Sequence, residues 1–230
     1  MNILIACEES QAVATAFRSK GHNSFSCDVI NCSGGHPEYH IKQDVIPLLN
    51  GSCSFVTMDG KEHYINSQWD IIIAFPPCTF LTFAGNQMLS ERLRTPEQIL
   101  YRKEKRYLAA QFFLKFINAN CSRIAVENPL GYMNTFYRKP DQIIHPYYFG
   151  DNAMKRTCLW LKGLPCLVPS PYAVKPEPIS FKPSGKGVYF VESVSSSAGE
   201  RSKIRSKTFP GIANAMAAQW GEINSTYYLL

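Results

Sequence analysis

Ten consecutive residues constrain this chain more than any others: Trp69-Asp70-Ile71-Ile72-Ile73-Ala74-Phe75-Pro76-Pro77-Cys78. The run from Ile71 to Ala74 shows no polar alternation. It therefore reads as a strand buried on both faces, which belongs to a parallel sheet covered by helices. Two prolines end it, fixing two φ angles and removing two amide donors. The next residue, Cys78, is thereby presented on a stiff loop at the mouth of a strand. An unpaired cysteine is most often a small core residue. One that follows Pro-Pro at a strand end is a candidate nucleophile.

The rest of the chain supplies the partners such a strand needs. Residues 2–6 read as a buried strand. A turn at Cys7-Glu8-Glu9 follows, then a helix from about Ser10, with Ser10 as its N-cap. Val13 and Phe17 are spaced for one buried face, and Gly21 supplies the stop. Ser24 to Cys27 reads as a second strand ending at Asp28. This βαβ unit closing on an acid is the pattern of a nucleotide-binding half of a doubly wound sheet. Ile41 to Val45 is a further short element with Asp44 near its end. Phe55 to Ile65 reads as an inserted hairpin around the Asp59-Gly60 turn.

Thr95-Pro96-Glu97-Gln98 starts a helix with an N-cap, a proline at the first position and a capping-box glutamine. It runs to about Asn118, with Leu108, Phe112 and Phe116 on its apolar stripe and Arg102, Lys103, Lys105 and Arg106 mainly off it. Ile124 to Val126 is the next buried strand and carries Glu127-Asn128-Pro129 at its end. Leu159-Trp160-Leu161 precedes a stretch, 163–200, rich in Pro, Ser and Gly. A final helix near 211–220 carries Ile212, Met216 and Trp220.

Strands alternating with helices predict an α/β fold with a mostly parallel sheet. Ligands collect at the carboxyl ends of such strands, where Glu8, Glu9, Asp28, Asp44, Cys78 and Glu127 all fall. Three segments are expected: a catalytic core over 1–162, a small irregular recognition segment over 163–206, and a helix within 207–230 that returns to the core.

The eight cysteines include no Cys-x-x-Cys pair, so the pattern is that of a reduced protein without a zinc knuckle. Pro37 between His36 and His40 argues against a helical metal pair, and no metal is expected. No apolar run approaches the roughly 18 residues of a membrane span. The N-terminus lacks a basic segment and a small-residue cleavage site, so the expected location is the cytosol. The formal net charge is +6. From Lys155 to Lys207 there are ten Lys/Arg against Glu177, Glu192 and Glu200, which makes +7 in that segment alone. Such a segment suits a polyanionic partner. A solvated surface would carry the same charge, so charge alone does not choose.

Pro76-Pro77-Cys78 and Glu127-Asn128-Pro129, taken together and in that order 49 residues apart, resemble the two catalytic motifs of the cytosine-C5 DNA methyltransferase family. Lys155-Arg156-Thr157 lies where that family keeps a basic motif. Pro210-Gly211-Ile212-Ala213-Asn214-Ala215 resembles its closing helix, and the first 28 residues look like its cofactor unit. The likeness is greatest to short, phage-type members and covers most of the chain except 46–69 and 166–200.

The resemblance implies a Rossmann-like fold of the S-adenosylmethionine-dependent methyltransferases. It implies transfer of a methyl group to C5 of a cytosine flipped out of DNA, in a bacterial or phage-infected cell, with protection of phage or prophage DNA from restriction as the purpose. Cys78, Glu127 and Arg156 take the catalytic positions. Ala6, Cys7, Glu8, Ser10, Asp28, Asp44, Pro76 and Asn214 fall at the cofactor. Lys155, Arg201, Lys203, Arg205 and Lys207 are the candidate nucleic-acid contacts.

Two departures keep alternatives open. Cys7-Glu8-Glu9-Ser10-Gln11 stands where the family has a glycine-rich loop. That suits a catalytically inactive scaffold binding nucleic acid or a host factor. The segment available to read DNA sequence is short, which suits a methylase of RNA or free nucleotides.

Overall fold

The apolar runs become the middle of one seven-stranded sheet. The computed structural model describes residues 1–181, 183–185, 187–189 and 207–222. In chain order the strands are β1 (Asn2–Ala6), β2 (Asn23–Asp28), β3 (His40–Lys42), β4 (Cys53–Val56), β5 (Glu62–Ile65), β6 (Ile71–Ala74), β7 (Ile124–Asn128), β8 (Gln142–Ile144) and β9 (Thr157–Lys162), then the two-residue β10 (Ser180–Phe181) and β11 (Gly187–Val188). The helices are α1 (Ala12–Ser19), α2 (Pro96–Ile117), the single turn α3 (Met133–Phe136) and α4 (Pro210–Trp220).

The sheet order is β3-β2-β1-β6-β7-β9-β8. Every pair from β3 through β7 is parallel, and β9 runs antiparallel between β7 and β8. The fold is thus α/β, compatible with a Rossmann-like arrangement. The order reverses between β1 and β6, the switch point where a ligand crevice opens. Side chains alternate across the sheet. Ile3, Ile5, Ile71 and Ile73 face α1 and α4. Leu4, Ala6, Ile72 and Ala74 face α2 and the β4–β5 hairpin. Each of the three buried isoleucines of β6 contributes about 1.5–3 kcal/mol by its burial.

Two local expectations need correction. Ser10 does not cap α1: the helix begins at Ala12, Gln11 occupies the cap position in the left-handed region, and Glu8 caps instead. Its two carboxylate oxygens accept from the amides of Val13 and Ala14 at 2.7 and 3.2 Å. The α2 capping box forms as expected, but the buried stripe of that helix is Ile99, Arg106, Ala110, Phe113, Phe116 and Ile117. Leu108 is half exposed and Arg106 is buried.

The inserted hairpin is part of the core. Phe55 packs edge-on against Phe25 at 5.0 Å, and the Trp69 indole donates to the Leu48 carbonyl at 2.7 Å. The core also continues past Lys162. Leu164 and Leu167 are buried, Gln142 pairs with the Leu167 backbone in both directions at 2.7 and 2.8 Å, and the Trp220 indole donates to Pro165 at 3.0 Å. The first residues beyond 162 are therefore docked between β8 and α4. Among the described residues, no helix is long and apolar enough to cross a membrane.

Candidate active site

Cys78 stands just beyond the carboxyl end of β6. The last rung there is the Phe75 amide donating to the Ala6 carbonyl at 2.9 Å, across the switch point. Pro76 is buried, Pro77 exposed and Cys78 half-buried. The Cys78 carbonyl accepts from the amides of Leu81 and Thr82 at 2.9 and 3.2 Å, so the cysteine opens a tight turn.

Glu127 and Asn128 end the neighbouring strand, and the parallel register Ala74–Val126 brings them alongside Phe75 and Pro76. Two ties join the loops. Asn128 donates its side-chain amide to the Pro76 carbonyl at 2.9 Å. Further out, Thr82 and Gly131 form a bridge, and the Tyr132 amide donates to the Leu81 carbonyl at 2.7 Å. A methyl group on Gly131 would collide with that Leu81 carbonyl, so the close approach of the two loops requires glycine here.

Burial pushes the Glu127 carboxyl above its ordinary range, and the charge of Lys155 partly offsets this. A carboxyl shifted in this direction keeps its proton, and with it the capacity to donate a hydrogen bond, to higher pH than an exposed glutamate. Lys155 and Arg156 reach the same mouth because β9 is antiparallel to β7, with Asn128 paired to Cys158. Lys155 is half-buried and Arg156 exposed. Arg156 acts on other groups: burial lowers the His145 ring and the charge of Arg156 adds to that, while at the Cys158 thiol the same charge works against the upward push of burial.

All eight cysteines are outside disulfides. Burial pushes the Cys7 thiol up, the Cys27 thiol up to about 12 and the Cys158 thiol up to about 11. Those three are poor sources of thiolate. Cys78, on its proline-stiffened loop, is the cysteine whose position suits nucleophilic work.

The loop after β1 solves without glycine a problem that glycine usually solves. Cys7 and Gln11 both take φ of 58°, in the left-handed region. Such conformations in non-glycine residues persist only where surrounding structure enforces them. Gln11 is fully buried. It donates to the His36 carbonyl at 2.8 Å and accepts from the His36 amide at 3.0 Å. The close approach of Gly34 to the Ser10 carbonyl completes the lock.

Ala6 is buried, while Cys7 and Ser10 are half-buried. Asp28 and Asp44, beyond the ends of β2 and β3, both act on the Cys7 thiol, so three adjacent strand ends bring these groups together. Asp28 accepts from the Ile30 amide at 3.3 Å and Asp44 from the Ile46 amide at 3.0 Å. Glu8 is buried and caps α1, and its carboxyl is pushed up to about 7 by burial.

Asn214 is exposed on α4, which begins beside Asp151, whose carboxylate accepts from the Gly211 amide at 2.9 Å. Lys207 is exposed, and Arg201, Lys203 and Arg205 lie outside the described residues. Among the described residues, no three His, Cys, Asp or Glu side chains gather as a metal site.

Sequence reasoning did not find Asn134 or the α2 arginines. Asn134 accepts from the Gly131 amide at 2.9 Å and hydrogen-bonds the Cys158 thiol. Arg102 and Arg106 both hold the loop that follows Cys78. The one signal for the arginines was their spacing of four on a helix, which puts them on one face.

Neither a protein-family model nor a curated protein matches this sequence.

Proposed function

We propose that this chain is an S-adenosylmethionine-dependent methyltransferase that acts on C5 of cytosine in DNA, with Cys78 as the covalent nucleophile. The observation that carries the proposal is the pairing of Cys78 and Glu127. Cys78 stands on the loop after β6 and Glu127 at the carboxyl end of the adjacent parallel strand β7, and the two segments are tied together twice, at Asn128–Pro76 and at Thr82–Gly131. This is the order and placement that the motif resemblance calls for.

Cytosine C5 is a poor nucleophile. Addition of the Cys78 thiolate to C6 forms a sulfur–carbon bond and makes C5 an enamine-like carbon able to take a methyl group. Glu127 in its protonated form donates to the ring edge at N3 and stabilises the charge of the adduct. Loss of the C5 proton then reforms the ring double bond and expels the Cys78 thiolate. The target base must leave the stack first, at a cost of a few kcal/mol.

S-adenosylmethionine, when bound, supplies an electrophilic methyl group on a cationic sulfur. The residues at the switch point suit it. Glu8 occupies the α1 amides that would receive a pyrophosphate in a dinucleotide-binding unit, which favours a cofactor without phosphates. Asp28 would hold the ribose hydroxyls, Asp44 would serve the adenine, and both carboxylates would complement a cation. Ala6, Cys7 and Pro76 would be the cofactor's neighbours at the switch point between β1 and β6. Lys155 and the basic segment beyond it favour a polyanionic substrate. Protection of phage or prophage DNA from restriction is the role such an activity would fill.

The test is incubation with tritiated S-adenosylmethionine and unmethylated duplex DNA, followed by nucleoside analysis. Label in 5-methylcytosine that disappears in Cys78→Ala supports the proposal. Label only on RNA or on free nucleotides keeps the chemistry and changes the substrate. Cofactor binding absent by calorimetry, with no label on any substrate, turns the assignment to a nucleic-acid or host-factor binding protein.

A further inference from the structure

We propose that Arg106 is the positioning residue that sets where Cys78 stands; this rests on the assignment of Cys78 as nucleophile. Arg106 is a buried cation in the middle of α2. Its Nε donates to the Phe80 carbonyl at 3.1 Å, two residues beyond Cys78, and its Nη2 donates to the Asn86 side-chain oxygen at 2.7 Å. The guanidinium also lies over the Tyr132 ring at 5.1 Å. Tyr132 belongs to the loop after Glu127, and its amide holds the Leu81 carbonyl. One side chain thus touches both loops of the site.

Arg102, one turn earlier, extends the grip. It donates to the Thr79 carbonyl at 3.1 Å and to the Gly85 carbonyl at 3.0 Å, with its guanidinium 5.1 Å from the Phe80 ring. Packing does not replace these tethers. A partly open pocket of about 380 Å³ adjoins the same loop, lined by Phe80, Met88, Arg94, Tyr101 and Arg102 among others. A buried guanidinium held by neutral acceptors is expensive to desolvate. Among the described residues no carboxylate pairs with Arg106, so stability gives a weak reason for a cation here. Its planar fork reaches two acceptors at once, which a lysine ammonium on its flexible stem does not reproduce.

Arg106→Lys and Asn86→Ala are compared with the unaltered full-length chain in three measurements: thermal unfolding, steady-state methyl transfer, and the rate at which iodoacetamide labels Cys78, read by peptide mass mapping. Labelling of the exposed Cys166 serves as the internal reference. For Arg106→Lys we expect cooperative unfolding, KM for the cofactor unchanged, kcat lower by roughly 100-fold, and a Cys78-to-Cys166 labelling ratio changed by roughly tenfold. Asn86→Ala removes one tether from an exposed residue, and shifts kcat and the ratio in the same direction by less. A folded Arg106→Lys with the original kcat and labelling ratio overturns the proposal, as does equal change at Cys78 and Cys166. If Arg106→Lys does not fold, Asn86→Ala decides on the same readouts. If the unaltered chain methylates nothing, the methyltransferase assignment fails while the labelling ratio still judges the role of Arg106.

Discussion

The side-chain amide of Asn128 donates to the carbonyl oxygen of Pro76 at 2.9 Å, joining the strand that carries Glu127 to the loop that carries Cys78. Asn128 is buried, and its Oδ1 has no hydrogen-bond partner among the described residues. Asn128→Ala leaves the Pro76 carbonyl unmet, with an expected loss of about 1–3 kcal/mol in urea unfolding. Asn128→Asp sets a carboxylate oxygen against that carbonyl and costs more. On the proposed function, both variants should lose methyl transfer by more than their folded fraction explains, because the tie sets the distance between the two side chains proposed as catalytic. Equal stability in all three proteins would remove this bond from the account.

Glu8 gives stability a pH dependence with a definite sign. Burial raises its carboxyl from 4.5 to about 7 in the folded protein. The folded state then binds the proton more tightly than the unfolded chain. This contribution is complete below about pH 4.5 and is lost as pH rises through about 7, a difference of about 3 kcal/mol. Urea midpoints should fall between about pH 5 and pH 8, and the slope should flatten in Glu8→Gln. The same slope in both proteins contradicts this.

Glu127 is raised by burial in the same direction, which keeps its proton in place at higher pH than an exposed glutamate would allow. A rate that needs the protonated form falls as pH rises through the folded value. Glu127→Gln should lower kcat by about 100-fold and flatten that alkaline fall. An unaltered profile in the variant would take Glu127 out of the chemistry.

Gly131 is required by contact with the Leu81 carbonyl, since its Cβ position is already filled. Gly131→Ala must push the Cys78 loop away from the Glu127 loop. The expected cost is about 1–3 kcal/mol in denaturant unfolding, with a larger loss in kcat than in cofactor affinity measured by calorimetry.

The parts legible in the sequence were those encoded locally. The unbroken run at Ile71–Ala74 identified a central strand. Thr95 and Gln98 announced the α2 N-terminus, because a capping box is complete within four residues. The less legible parts are settled by distant contacts. Ser10 had the right chemistry for a cap, but Gln11 is locked onto His36 and turns the chain so that Glu8 reaches the α1 amides. Arg106 read as lying off the apolar stripe because its partners, Phe80 and Asn86, are 26 and 20 residues earlier, in a stretch whose sequence shows no periodicity. The reversal of β9, which carries Lys155 and Arg156 to the Glu127 mouth, depends on pairing rather than on composition. The positive φ of Cys7 and Gln11 follows the same logic, since the contacts that hold Gln11 come from His36, 25 residues on.

The most direct measurement uses duplex DNA containing 5-fluorocytosine, incubated with the protein and S-adenosylmethionine. Fluorine at C5 cannot leave as a proton does, so a Cys78 adduct that has received its methyl group has no path to expulsion of the thiolate. The account predicts a stable protein–DNA complex whose digest maps the cross-link to the peptide carrying Cys78, and none with Cys78→Ala. No complex on duplex or single-stranded DNA, or a cross-link on a different cysteine, would contradict the claim that Cys78 is the nucleophile of a cytosine-C5 methyltransferase acting on DNA.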